Sequence, residues 1–333
     1  MIKALKKSHS KGFILVVFIL LFIVSFFYSV GNGAVKINLI DIIKIILKRS
    51  DSTDYQIIWN LRLPRTIVAA LVGICLSLSG VILQGVMRNP LAGPNIIGVS
   101  SGGGFLGLVI LILFPRHYYL LPVGAFIGAL LAALLVYALA WKDGAFPTRL
   151  ILAGVAVSSL FSAGSNVIMT FFPARVSGVI NFMVGGLSAI TWKDVGIILP
   201  YAISGVVLTV FLPNKLNILM LGDEIATGLG ISVERTRFIF IIIASFLAGA
   251  AVSVVGLLSF VGLMVPHISR LFVGSDHRYL FPSTIFLGGT VVMTCDTLAR
   301  ILFIPMEIPV GIIMAALGAP FFLYLLRQKE RYQ

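Results

Sequence analysis

Few residues in this sequence stand where they could do chemistry. Gly102, Gly104 and Gly107 form the G-x-G-x-x-G spacing that cradles a pyrophosphate when it joins a strand to a helix. Here the spacing lies inside an apolar run, with no strand before it and no acid about 20 residues on, so helix packing is its expected role. No Gly-Lys dipeptide occurs, which excludes a G-x-x-x-x-G-K-[ST] phosphate loop. His9, His117, His267 and His277 have no metal-ligand spacing. His267 and His277 read as surface or capping residues at one membrane face. No nucleophile–base pair is visible, so the chain is expected to have no catalytic residue, no metal site and no enzymatic activity of its own.

One charged pair remains, Asp296 and Arg300, a helical turn apart. The middles of the apolar runs hold no Asp, Glu, Lys or Arg. Ion-coupled transporters keep an ionisable group at mid-membrane to carry the proton or sodium. A transporter without that group and without a nucleotide site must take its energy from another chain. The place for such a chain to push is 214–237, NKLNILMLGDEIATGLGISVERTR, a charged interruption between two apolar runs. Asp223 or Glu224 can cap or charge the start of a short helix there. Gly228 and Gly230 can stop it, and Ser232, with Glu234 in the following turn, can start the next. The pattern predicts a short helix lying across the membrane face, and the alternative is a polar loop with glycine turns.

The elements around that segment are membrane spans. Hydrophobic residues make up 59% of the 333 and charged residues 11%, with mean hydropathy +1.08, a balance foreign to soluble domains. The chain is expected to be an all-α integral membrane protein with about ten transmembrane helices: 12–30, 65–86, 96–114, 119–141, 149–172, 195–212, 237–257, 258–273, 281–304 and 308–326. The first run follows four lysines but is too long for a signal peptide and lacks a clear cleavage site, so it is read as a retained span. Cys75 and Cys295 fall in or near spans and form no disulfide framework. Between the seventh and eighth runs no polar loop separates the spans, and Pro266 is expected to break or kink its helix. With both termini inside, fifteen of the 25 basic residues lie on the inner face. Apart from 31–64, the outer loops then hold only Arg116, Arg175, Lys193 and Arg300. That is the positive-inside bias, so both termini are expected in the cytoplasm. The net charge of +13 is explained by orientation and calls for no nucleic acid.

Residues 38–48 read as an amphipathic helix in the outer interface, with Asn38 and Asp41 able to cap it. Residues 173–194 are long and apolar for a turn and are expected to dip into the membrane or to cover a cavity mouth. Small residues at spacing four recur in the spans and let helices approach closely. The fourth has Gly124, Gly128 and Ala132, the tenth Gly311, Ala315 and Ala319. The stripe in the fifth, Gly154, Ser158, Ser162 and Asn166, is polar as well as small, which suits a lining that faces water or a polar substrate.

Five stretches, in this order and at these separations, resemble one family. They are LRLPRT (61–66), RNPLAGPNIIGVSSGG (88–103), LGDEIATGLG (221–230), SFVGLMVPHISRLFVGSDHR (259–278) and EIPVGIIMAALGAPFFLYLL (307–326). From about Trp59 to Leu326 the chain resembles the membrane subunits of ATP-binding-cassette importers for iron chelates, haem and cobalamin. The resemblance implies a single permease domain over 1–333 that works as a homodimer or close heterodimer in a bacterial or archaeal cell membrane. It implies two cytoplasmic ATPase chains that hold the ATP and magnesium, no cofactor in this chain, and an extracytoplasmic substrate-binding protein. It also implies that 213–236 couples to the ATPase through Leu221, Gly222, Asp223, Glu224, Ala226, Gly228 and Gly230. Binding-protein docking would fall to Arg62, Arg65 and Arg300, whose plainer reading is interfacial anchoring or, for Arg300, pairing with Asp296. The pathway would run between the fifth and tenth spans of two subunits, past the stripes named above. Ferric siderophores are the commonest cargo of the family. Haem, cobalamin or another metal complex is the alternative cargo, and an ion-coupled secondary transporter or an intramembrane enzyme the alternative activity.

Overall fold

The computed structural model describes residues 2–33, 37, 53–142 and 144–329. The amphipathic segment 38–48 lies outside the described residues. Among the described residues ten helices of 13 residues or more carry the fold: α1 (Ile2–Gly31), α2 (Leu63–Val86), α3 (Val99–Leu113), α4 (Leu121–Ala140), α5 (Pro147–Phe171), α6 (Trp192–Phe211), α7 (Val233–Val255), α8 (Val261–Val273), α9 (His277–Ile301) and α10 (Val310–Lys329). Each coincides with one of the apolar runs. Seven stretches are long and apolar enough to cross a bilayer by themselves, and α3, α8 and α10 contribute shorter apolar segments. Among the described residues there is no strand, as expected of helical spans, which satisfy their backbone hydrogen bonds internally in lipid. The ends that the charge bias assigns to the cytoplasm are called inner below.

α2 is the axis of the bundle. Its apolar stretch is 89% buried, against 17% for α5. Small residues allow that centrality. A Cβ on Gly73 would fall 2.2 Å from the Gly288 carbonyl oxygen of α9, and one on Gly80 would fall 1.8 Å from that of Gly262 in α8. Hydroxyls add ties from the same helix: Ser77 Oγ donates to Thr284 O of α9 at 2.9 Å and Ser79 Oγ to Ala244 O of α7 at 2.7 Å. Without a hydrophobic drive between helices in lipid, this close backbone approach and these hydrogen bonds hold the spans together. The Gly102/Gly104/Gly107 spacing serves packing too. Gly102 faces the Gly128 carbonyl of α4, Gly104 the Leu257 side chain and Gly107 the Phe182 ring. α1 is part of the bundle, with Phe18 edge-on to Phe272 at 5.8 Å and Phe22 edge-on to Phe286 at 5.9 Å.

The junction between α7 and α8 is made without polar residues other than Ser259. Gly256 (φ +75°) and Phe260 (φ +67°) turn the chain, and α8 runs on through Pro266. Its 13 residues rise about 20 Å, short of the hydrocarbon thickness of about 30 Å. The unwound backbone of the junction is therefore covered by protein. Residues 173–186 supply the cover, folding into short helical turns, Pro173–Val176, Ser177–Val179 and Ile180–Val184. Leu257 N donates to Phe182 O (2.9 Å), Gly186 N to Val255 O (3.0 Å) and Gly311 N to Gly185 O (3.0 Å). These bonds join the outer ends of α7 and α10 across the covering segment.

Candidate functional site

The inner segment folds as two short helices, Pro213–Leu219 and Asp223–Gly228. Gly222, at φ +112°, makes the sharp turn between them, a backbone shape that favours glycine. The side chains of Asp223 and Glu224 do not cap the second helix; Gly222 occupies the capping position and both acids fall in the first turn, where they face the positive end of the helix dipole. Gly230 (φ +81°) ends the helix, with its N–H on Thr227 O at 2.9 Å and Ile231 N on Ala226 O at 3.0 Å. Ser232 begins α7 without a side-chain cap.

The 223–228 helix has two faces. Ala226 is fully buried beneath it, while Leu221 (56%), Ile225 (53%) and Leu229 (58%) are exposed. Ile225 and Leu229 stand one helical turn apart and share one surface, and Leu221 is exposed in the turn that precedes the helix. Glu224 and Gly228 are exposed beside them, and nothing stands within 4 Å of a Cβ built on Gly228.

Beneath the helix is a network of charges. The Arg237 side chain, completely buried, donates to Asp223 at 2.9 and 3.1 Å and also to Glu234. Asp223 also pairs with Arg88 at 3.4 Å, and Glu234 accepts from Ala145 N at 2.9 Å. The first short helix is held as firmly. Asn217 donates to Asp276 at 2.9 Å and accepts from His277 N at 3.1 Å. Asp276 caps α9 through Arg278 N at 3.0 Å. The hydrogen bonds from Arg278, then that from Asn217, hold its carboxyl well below the usual carboxylate range. His277, expected at the surface or as a cap, is buried one residue inside the helix, where its ring meets Asn217 and Phe281.

At the outer end the three sequence-selected arginines come together, with their charge turned inward. Leu63 N reaches back five residues to Ile58 O, closing the π-helical turn Ile57–Arg62. Pro64, in the first turn of α2, has no N–H to lose. Arg62 is 6% exposed, Arg65 9% and Arg300 5%. Arg62 donates to Val30 O (3.0 Å) and Gly31 O (3.1 Å). Arg65 grips the fully buried Asp296 through Nε (3.0 Å) and Nη2 (2.9 Å), and Glu307 through Nη1 (2.7 Å). Arg300 lies 3.2 Å from the other Asp296 oxygen and donates to Ser29 O, Ser29 Oγ and Asn32 O at 2.8–3.0 Å. Arg300 thus forms the i, i+4 pair that its spacing predicts, and Arg65 joins the same carboxylate, because buried guanidinium groups need partners. Asp296, expected as the partner of Arg300, and Glu307, which the sequence left without a role, complete the cluster. A cleft of about 430 Å³ opens over it, lined by Gly33, Arg62, Arg65, Ser188, Arg300 and Glu307.

Residues selected for the pathway divide in two. Gly154 and Gly311 are buried within the chain; a Cβ on either would fall 1.7 Å from a carbonyl oxygen, of Ile96 and Val184 respectively. They permit close backbone approach and present no surface. Ser162, Asn166, Ala315 and Ala319 are exposed on α5 and α10, and Ser158 is half-buried, accepting from Ser101 Oγ at 3.3 Å. A cavity of about 290 Å³ lies between the segment 91–96, the α7–α8 junction with the start of α8, and α10. Its walls come from Leu91, Pro94, Asn95 and Ile96 on one side, and Phe260, Leu263 and Phe322 on the other. Cys75 and Cys295 are both buried free thiols. Among the described residues no three His, Cys, Asp or Glu side chains converge as metal ligands.

Comparison with known proteins places this architecture. The profile of the FecCD transport family matches residues 20–328. The Fe(3+)-citrate import system permease protein YfmE of Bacillus subtilis is 39% identical over 321 residues, covering 96% of each chain. The cobalamin import system permease protein BtuC of Halobacterium salinarum is 42% identical over 280 residues, covering 84% of this chain and 75% of its own. A solved structure described as a metal-chelate type ABC transporter in an inward-facing conformation superposes with a TM-score of 0.83 at 30% identity, covering 95% of this chain and 99% of the other. Matched along nearly its whole length in sequence and in fold, the chain is a membrane permease of the FecCD transport family.

Proposed function

We propose that this permease imports a ferric siderophore or a similar iron complex, such as ferric citrate, using ATP hydrolysed by two partner chains at its cytoplasmic face. The observation that carries the reading is the exposed apolar face of Leu221, Ile225 and Leu229, held rigid from below by a buried ion network. An exposed helix face with apolar residues at spacing four suits the groove of a soluble partner. The chain itself has no phosphate-binding loop, so nucleotide and magnesium belong to that partner. A second copy, or a close homologue, covers the exposed faces of α5 and α10 and encloses the pathway. An extracytoplasmic binding protein docks at the outer rim around Arg62, Arg65 and Arg300. Its carboxylates reach these groups by competing with Glu307 for Arg65. The cell membrane of a bacterium or archaeon is the proposed location. The iron cargo follows the ferric citrate relative, which matches across the full length; the cobalamin relative keeps cobalamin as the second reading.

The test is assembly. Ile225→Glu places a charge at the centre of the exposed face. Copurification of the ATPase chain with the permease is expected to fall by a factor of about 30, the loss typical of a central contact residue, while the permease still folds. Undiminished copurification overturns the docking assignment.

A further inference from the structure

We propose that Arg88 is a positioning residue for transport, carrying displacement of the 223–228 helix to the wall of the cavity that residues 91–96 line. The inference rests on the reading of that helix as the ATPase dock. Arg88 follows the inner end of α2 and leads the segment 88–96, whose residues Leu91, Pro94, Asn95 and Ile96 line the cavity beside Phe260 and Phe322. The backbone at Arg88 is left-handed, φ +48°, which an arginine adopts only under constraint. The constraint is visible on both sides. Arg88 N donates to Gly85 O at 3.2 Å, and Asn89 N to Gln84 O at 3.1 Å, which pins the backbone to the last turn of α2. The guanidinium reaches Asp223 at 3.4 Å and lies against Gly222 at the start of the docking helix.

Asp223 is the junction of this arrangement. One carboxylate meets Arg88 on one side and the buried Arg237 of α7 on the other. Arg237 in turn holds Glu234, and Glu234 receives the Ala145 amide just before α5. A shift of the docking helix therefore has two connected outlets, one to the loop lining the cavity and one to the start of α5. The two differ in rigidity. Arg237 is completely buried, whereas the Arg88 side chain is 35% exposed and its ion pair is longer. The exposed arm can lengthen and re-form as the helix moves, while the buried arm keeps the helix attached to α7. Charged pairs with two available arrangements are one physical means of coupling distant sites.

The experiment uses the permease reassembled with its ATPase subunits and binding protein in liposomes. Leu91→Cys reports on the cavity wall through its rate of reaction with a water-soluble thiol reagent, with and without ATP; Cys75 and Cys295 are buried and give the background. On this background Arg88→Gln is expected to leave ATPase association and basal ATP hydrolysis as they are. It should abolish the ATP-dependent difference in labelling and lower uptake about tenfold, the usual size of a coupling between sites. Arg88→Lys, which keeps the charge, should restore much of both. A purely local role for Arg88 would leave the ATP-dependent labelling unchanged. Retention of that difference in Arg88→Gln, or wild-type uptake, overturns the proposal. Because Ile225→Glu acts on association and Arg88→Gln does not, failure of the docking reading and failure of the relay are separate results.

Discussion

The two ends of the molecule solve the same problem, charge beside a bilayer, in opposite ways. At the outer end Arg65, Arg300 and Asp296 are almost wholly buried and consume one another, tying α2 and α9 to the last turn of α1 through Ser29 and Asn32. At the inner end a similar cluster, Arg237 with Asp223 and Glu234, underlies a helix whose other face is apolar and exposed. The outer network is a structural knot around Asp296, with the half-exposed Glu307 at its solvent edge. The inner network is a foundation for something still to be covered. Buried charge by itself thus does not mark a docking surface, and what lies on the solvent side of it decides.

Breaking the knot should have the largest effect. Asp296→Asn leaves two buried guanidinium groups without their shared carboxylate, and loss of one partner from a buried ion network costs about 3–5 kcal/mol. Thermal unfolding of the detergent-solubilised permease should drop accordingly, whereas an unchanged midpoint would deny the knot its structural role. Leu229→Glu should be the opposite case. Stability stays within about 0.5 kcal/mol because the side chain is already in solvent, yet ATPase association falls, which a titration in nanodiscs measures directly.

Glu307→Gln sharpens the contrast at the rim. Its side chain is 44% exposed, so the pair with Arg65 adds at most about 1 kcal/mol to stability. With that competitor removed, the Arg65 Nη1 group is freed for a partner, so the binding protein should dock more tightly, and the gain should shrink as salt is raised. Weaker docking in this variant would argue that Glu307 itself is the contact.

The smallest effect is expected at Asp276. Its carboxyl titrates below the usual aspartate value in the folded protein. The stability it adds is therefore present above about pH 4, the unfolded value, and is lost as pH falls below it. Wild type and Asp276→Asn should differ slightly in melting temperature at pH 6 and converge on acidification, and a gap that persists at low pH would contradict the assignment.

Much of this was legible in the sequence, and the exceptions have physical causes. The long helices among the described residues were legible because each lies in a continuous apolar run, seven of them long enough to cross a bilayer. The short inner helix was marked by Asp223, Gly228 and Gly230, although glycine rather than an acid takes the cap, since φ +112° at Gly222 admits little else. The inward turn of Arg62 and Arg65 was hidden. Their partners Val30, Gly31, Asp296 and Glu307 are remote in sequence, and spacing along a helix says nothing about the helix packed beside it. The stripe of small residues misled in part for the same reason. Gly154 and Ser162 share a period, but Gly154 is buried against the carbonyl of Ile96 while Ser162 is exposed.

In the proposed reading, energy for transport enters through the inner face from another chain. Uptake of labelled ferric citrate into liposomes tests it most directly. The account predicts ATP-dependent uptake when the permease is reconstituted with its ATPase and binding protein, and none by the permease alone under a proton or sodium gradient. Uptake by this chain alone, driven by an ion gradient, would contradict it.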